Sequence, residues 1–398
     1  MKKIFALVLA LCLCLTAFAA MADGIAKEDI KLGVITLHDE LSTYDKNFID
    51  AAKEAAKNMG LTEDQIKIIS GIPESEACYD TAAELAEDGF NIVFADSFGH
   101  EDFMIKAAKE FPNVEFCHAT GTKAHTEKLA NYHNAFASIY EGRFLAGVAA
   151  GLKLKELQDA GQLKGEKPLM GYVGAFPYAE VKSGYTSFFL GAKSVVPDVQ
   201  MKVIFTQSWY DEEGEKTAAK ALIAANCDLI SQHADSWGAP TACEEAGIPN
   251  VSYNMATVEK CPNTFIVASR INWVPYFEYI ISQRIDGEAI ATDYTGNLDK
   301  GSVELLGLND KAAAPGTAEK IEEVTQKLLS GEIDVFATSS FTVGGETLST
   351  YLADVDDMGD FVPETEAIAD GYFHESEFRS APYFDVQIDG IELLNVAF

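Results

Sequence analysis

Asn91-Ile92-Val93-Phe94-Ala95-Asp96-Ser97-Phe98-Gly99 finds an echo in Asp228-Leu229-Ile230-Ser231-Gln232-His233-Ala234-Asp235-Ser236-Trp237-Gly238, and this pair decides the fold. In each copy an apolar run ends in Ala-Asp-Ser-aromatic-Gly, and an alanine-rich helical pattern precedes the run. A buried strand that ends this way fits a parallel sheet whose carboxyl edge carries ligand groups. Two copies, one in each half, predict two similar lobes facing each other across a cleft.

The flanking sequence agrees. Ile30 to Thr36 reads as a strand and Asp45 to Met59 as a helix, with Phe48, Ala52, Ala55 and Met59 on one face and Gly60 as its stop. A strand over Ile66 to Ile69, a helix over Ala77 to Glu87, the strand before Asp96, a helix to Glu110 and a strand over Val114 to Cys117 follow. Tyr140 to Leu157 is a long apolar helix whose Gly142, Gly147 and Gly151 permit close backbone packing. The pattern then restarts. Strands are expected over Leu169 to Val173 and Met201 to Phe205, before Asp235, and over Asn250 to Tyr253. The helices between them cover Ala179 to Lys193, Glu212 to Ala225 and a segment through Glu245.

Such alternation means right-handed crossovers and a parallel sheet in each lobe, an α/β fold of two Rossmann-like units. Each echoed phrase then follows the third strand of its lobe. The expected division is residues 23–138 for lobe one and 139–269 for lobe two, with 270–398 shared between them. Phe265 to Ala268 and a helix from near Asn272 are expected to return toward lobe one. Beyond Gly331 the pattern loosens into short strands, acidic turns and aromatics, expected to interweave with both lobes.

Met1-Lys2-Lys3, the apolar run Ile4 to Phe18 and Ala20-Met21-Ala22 have the form of an export signal, with cleavage before Asp23. Cys12 and Cys14 lie within the apolar run behind leucines, which argues against a lipid anchor. No later segment is long and apolar enough to span a bilayer. The expectation is a protein working in the periplasm or on the outer face of the cell membrane. The formal net charge is −32, which excludes a nucleic-acid partner and disfavours adhesion to anionic lipid. Only four arginines are present (Arg143, Arg270, Arg284 and Arg379), so few groups could clamp an anion, and a neutral ligand is favoured.

Cys78, Cys117, Cys227, Cys243 and Cys261 have no framework spacing; a Cys243–Cys261 bridge is one option that spacing leaves open. Nucleophile-elbow, phosphate-loop and dinucleotide fingerprints are absent, and the seven histidines show no metal-ligand spacing. No cofactor is called for. Asp354 to Gly359 has a faint calcium-loop outline, but Met358 stands at a ligand position and an acidic turn is the better reading. Asp39, Asp96 and Asp235 could act as an acid–base pair, which leaves a nucleosidase or glycoside hydrolase as the enzyme alternative to a binding protein.

The expected strand ends supply candidates for the cleft: Asp39, Tyr44, Asp96, Ser97 and Phe98 in lobe one; Phe176, Trp209, Asp235 and Asn254 in lobe two; and Trp273 beyond them. Aromatics with neutral or acidic hydrogen-bonders suit a flat heterocycle stacked from both sides and read at its edge. They also suit a pyranose, and an adhesion protein without a small ligand stays open as a third class. Any single aromatic could equally be packing.

The chain resembles the basic membrane protein family of ABC-transporter solute-binding proteins, which includes purine nucleoside receptors. The resemblance rests on Ser97-Phe98-Gly99, on Glu141 to Gly151 (EGRFLAGVAAG) and on Gly171 to Pro177 (GYVGAFP). It extends to Gly191 to Val195, Ser208-Trp209-Tyr210-Asp211, Gln232 to Ser236 and Asn272-Trp273, so that it covers about residues 30 to 290. It implies a type I periplasmic-binding fold with three crossover segments, a purine held in the cleft and a membrane permease as partner. It further implies an aromatic sandwich made by Tyr44 and Trp209. An Asp that contacts ribose in nucleoside-binding relatives aligns with Asn254, a departure that makes a free base such as adenine as apt as a nucleoside. The missing lipidation cysteine is a second departure.

Overall fold

A computed structural model describes residues 24–356 and 362–395; the expected export signal and its cleavage site lie outside this range. In the first half, β1 (Leu32–Ile35), β2 (Ile66–Ile69), β3 (Ile92–Ala95), β4 (Glu115–Ala119) and β5 (Tyr132–Ala137) alternate with four helices. These are α1 (Thr43–Asn58), α2 (Glu76–Glu87), α3 (Glu101–Glu110) and the single turn α4 (Ala124–Glu127). Helix α1 begins two residues before the expected Asp45, because Ser42 caps it by accepting from Asp45 N at 3.2 Å.

The second half repeats the scheme. Helix α5 (Ile139–Asp159) leads into β6 (Leu169–Gly174), α6 (Ala179–Lys193), β7 (Gln200–Phe205) and α7 (Glu212–Ala224). Then come β8 (Leu229–His233), α8 (Gly238–Ala246), β9 (Asn250–Tyr253) and β10 (Phe265–Ile271). The chain finishes with α9 (Val274–Asp286), β11 (Asp293–Gly296), β12 (Val303–Leu306), α10 (Thr317–Leu329) and a long tail.

Two sheets result. The first has the order β2-β1-β3-β4-β5-β11 and is parallel throughout. The second runs β7-β6-β8-β9-β10-β12, with β12 antiparallel, and gains β17 (Ile391–Leu393) beside β7. The first strand of each set lies between the second and the third, so each sheet has its switch point beside the strand that ends in the echoed phrase. The strand Phe265–Ile271 does not return to lobe one as expected. Its residues pair with β9 and β12 in the second sheet; α9 goes back to pack on α1, and β11 follows it into the first sheet.

The chain passes between sheets three times: from β5 to α5, from β10 to α9, and from β11 to β12. Helices α5 and α6 approach at backbone contact. A Cβ on Gly147 would stand 2.1 Å from Phe188 O, and one on Gly191 would stand 2.1 Å from Phe144 O. These glycines let the long apolar helix lie flush in the second core. Apolar clusters fill both faces of each sheet.

The tail carries two small antiparallel ladders, β13 (Leu352–Ala353) with β14 (Thr365–Glu366) and β15 (Ile368–Ala369) with β16 (Tyr372–Phe373). It packs on the second lobe through Phe336 and Phe384, whose rings stack at 4.3 Å. All five described cysteines are buried and free, Cys243 and Cys261 included. No described helix is long and apolar enough to cross a membrane.

Candidate functional site

The carboxyl ends of the two sheets face each other across a narrow chamber between the lobes. From the first lobe come Leu37, His38, Tyr44, Asp45, Ser97, Phe98 and Thr120. From the second come Glu180, Trp209, His233 and Asp235. The lobes meet at one edge, where Thr43 N and Oγ1 both donate to Asp235 O at 2.9 and 3.1 Å. His38 and Tyr210 face each other beside it with ring centroids 5.6 Å apart.

Three aromatic surfaces border the chamber. Tyr44 is half-buried, with its hydroxyl donating to Asp96 O at 2.7 Å and its ring edge-on to Phe48. Phe98 stands 5.7 Å from Tyr178 across the gap. Trp209 is held from behind by Phe176, edge-on at 5.2 Å, and by Tyr178 at 6.2 Å. The loop beneath Trp209 is set by backbone geometry: Gln207 has φ +61°, and its N–H donates to Ala175 O.

Backbone conformations with positive φ recur at strand ends. Thr120 follows β4 with φ +66°, Gln207 lies just past β7, and Asn254 follows β9 with φ +60°. For a β-branched residue such as Thr120 this is a true outlier, and strain of this kind concentrates where a site must be shaped.

The polar lining is acidic. Although burial pushes its carboxyl up, Asp45 stays below the usual range because His38 and Ser42 hydrogen-bond it. His38 is raised in turn, chiefly by that bond. Asp235 is pushed well above the carboxylate range by burial and by the nearby acids Glu215, Asp45 and Glu180. Its carboxyl makes no hydrogen bond to another described residue. Glu180 pairs with His233 at 3.2 Å; burial, aided by the Arg143 guanidinium, holds that imidazole below its ordinary value. Behind the chamber, Arg143 covers the Tyr253 ring at 3.5 Å and donates to Gln232 O at 2.8 Å. No lysine or arginine reaches the lining. The chamber therefore offers π-faces together with carboxyl, hydroxyl and imidazole groups that can both accept and donate, and no lysine or arginine to clamp an anion.

Of the ten residues expected at the cleft, the structure brings Tyr44, Ser97, Phe98, Trp209 and Asp235 to the lining. Phe176 lies one layer back as the support for Trp209. Asp96 is fully buried beneath Tyr44, accepts from Leu37 N at 3.1 Å, and is pushed well above its usual range by burial and by Asp45. Asn254 is buried past β9, its N–H bonded to Ser269 O, and is absent from the lining. Asp39 is exposed on the outer loop, accepting from Leu41 N. Trp273 does not reach the chamber: it is core of lobe one, stacked on Phe48 at 4.4 Å.

Glu180, Thr120 and His233 escaped the sequence reading. Glu180 sits in the first turn of α6, directly after the aromatic loop Phe176 to Tyr178, where an acidic residue reads as an ordinary helix start. The echoed phrases also part company: Phe98 faces the chamber, whereas Trp237 turns out to meet Lys260, whose ammonium lies 4.3 Å above its ring.

Known proteins are similar to this chain. A purine-binding protein of Brucella abortus is 31% identical over 78% of this chain and 84% of its own length. A putative ABC transporter glucose-binding protein of Haloferax volcanii is 29% identical over 65% of this chain and 62% of its own. Among solved structures, a solute-binding protein of an ABC transporter system from Aeropyrum pernix superposes with a TM-score of 0.65. At 17% identity, over 77% of this chain and 93% of that one, it shows the type I solute-binding fold alone. The family model described as ABC transporter substrate-binding protein, PnrA-like, matches residues 32–339. Proteins of that kind hold a small molecule outside the cytoplasmic membrane and work with a permease. Fold, chamber and sequence agree that this chain belongs to the Bmp family of ABC transporter substrate-binding proteins.

Proposed function

We propose that the chain is the receptor of an importer for a purine, either a base such as adenine or its nucleoside, captured between Tyr44 or Phe98 on one side and Trp209 on the other. One observation carries the reading: aromatic faces from both lobes border a chamber whose polar groups are carboxyls, hydroxyls and imidazoles, with no lysine or arginine among them. A purine presents two π-faces together with an exocyclic amine, a ring N–H or ribose hydroxyls as donors for Glu180, and ring nitrogens as acceptors for a protonated Asp235. The Brucella abortus relative, named for purine binding, supports the same reading. Export of this chain, delivery to a permease and the absence of catalysis belong to the proposal.

A sugar receptor is the second reading, favoured by the Haloferax volcanii relative and by the ability of the same side chains to grip a pyranose. Thermal-shift titration with adenine, adenosine, guanosine and glucose separates the two, because a ligand that binds only the folded state stabilises it by RT ln(1 + [L]/Kd). A purine is expected to raise Tm, glucose is not, and adenosine should be recovered intact. A shift with glucose and with none of the purines would sink the proposal.

A further inference from the structure

The family match ends at residue 339, and the chain beyond it crosses between the lobes again. Around the crossing, both sides are anchored. On lobe one, Ser380 N and Oγ both donate to Asp293 Oδ1 at 2.8 Å, and Thr295 Oγ1 donates to Ser376 O at 3.3 Å. Asp293 and Thr295 belong to β11 of the first sheet. On lobe two, Ser183 Oγ of α6 donates to the buried Glu375 at 2.5 Å, and Tyr185 OH donates to Gln387 Oε1 at 3.0 Å. Lys182 pairs with Asp385 at 3.7 Å, and β17 adds to β7.

Between the two sets of anchors, Ala381 and Pro382 border a small space beside the chamber. Phe98, Thr120, Glu180 and Trp209 border it too, and these four also line the main chamber. The tail thus forms one wall of the cleft while fastened to both lobes.

We propose that residues 375–385 are a strap that limits how far the lobes part and closes one mouth of the cleft, so that ligand passes only through the opposite mouth. Parting the lobes on the strapped side must break the paired bonds on Asp293 or pull the tail off α6. The identity of the ligand as a purine rests on the preceding reading; the strap rests on the anchors.

The test uses the full chain with nitroxides on Lys57→Cys in α1 and Lys220→Cys in α7, both exposed positions, and reads interlobe distances by pulsed dipolar spectroscopy. Asp293→Ala/Ser380→Ala should lengthen and broaden the distance distribution, and Thr295→Val should do so to a smaller degree. If the double variant fails to fold, Thr295→Val alone decides. Adenosine dissociation, followed by stopped flow, should speed up by about tenfold or more once two bonds to a carboxylate are lost. Distance distributions that match the parent protein in folded variants overturn the strap, whatever adenosine does. Binding of neither adenine nor adenosine nor guanosine to either form, with widened distances in the variants, overturns the purine reading and leaves the strap standing.

Discussion

Replacing Trp209 by alanine removes one face of the proposed sandwich, and the structure allows the loss to be sized. The indole is half-buried against Phe176 and Tyr178, but the loop that carries it is held by backbone contacts which alanine preserves. Asp235 N donates to Trp209 O at 2.9 Å, Thr206 Oγ1 to Ser208 O at 3.0 Å, and Ser208 Oγ to Tyr210 O at 3.0 Å. The effect should therefore fall on binding. One base–aromatic stack contributes about 1–3 kcal/mol, which at roughly 1.4 kcal/mol per decade is about a 5- to 150-fold weaker Kd. Isothermal titration with adenosine and with adenine measures it, alongside melting curves that confirm the fold. Phe176→Leu gives the graded comparison, because Phe176 supports Trp209 from behind without reaching the lining. Losing that edge-on contact, worth about 0.5–1.5 kcal/mol, should weaken binding about two- to tenfold. A folded Trp209→Ala protein that binds purines within about twofold of the parent would refute the stacking argument.

Two further predictions concern stability. Burial pushes the Glu375 carboxyl from 4.5 up to about 7, despite the bond from Ser183. The folded chain therefore holds a proton there that the unfolded chain has released, and stability falls as pH rises from 4.5 to 7, by about 3 kcal/mol at one proton per site. Glu375→Gln keeps the size and the acceptor, so it should flatten the urea-unfolding profile across that window and stabilise the protein at pH 8. An unchanged pH slope would count against the assignment. Gly191→Ala places a methyl against the carbonyl of Phe144 and should cost about 1–3 kcal/mol by prying α5 from α6. A lowered Tm with purine affinity kept is the expected pattern; an unchanged Tm would show that the helices yield freely.

How much of this was legible depended on whether a residue's surroundings were local in the chain. The echoed phrases worked because a buried parallel strand is a short apolar run and the group at its end is fixed by the turn that follows, so Asp96 and Asp235 were placed on their sheet edges by sequence alone. Strand β5 was missed for the opposite reason. Tyr132 to Ala137 is buried throughout yet carries His133 and Asn134, whose polarity reads as a loop until their partners are known. Two of those partners come from other elements: Glu115 of β4 pairs with His133 at 3.0 Å, and Asn134 accepts from Ala124 N of α4 while donating to the Tyr132 hydroxyl of its own strand. Burial of a polar side chain is inexpensive once its bonds are made, and nothing in a one-dimensional pattern announces that they will be. The same blindness explains Trp273 and Glu180. An aromatic after a strand looks like a ligand contact, but α9 carries Trp273 back beneath α1, onto Phe48. An acid in a helix's first turn looks like a dipole partner, but the apposition of two lobes turns Glu180 toward the chamber. What the sequence concealed was therefore the pairing of surfaces brought together by the three crossings and the tail, and that pairing is what gives the cleft its chemistry.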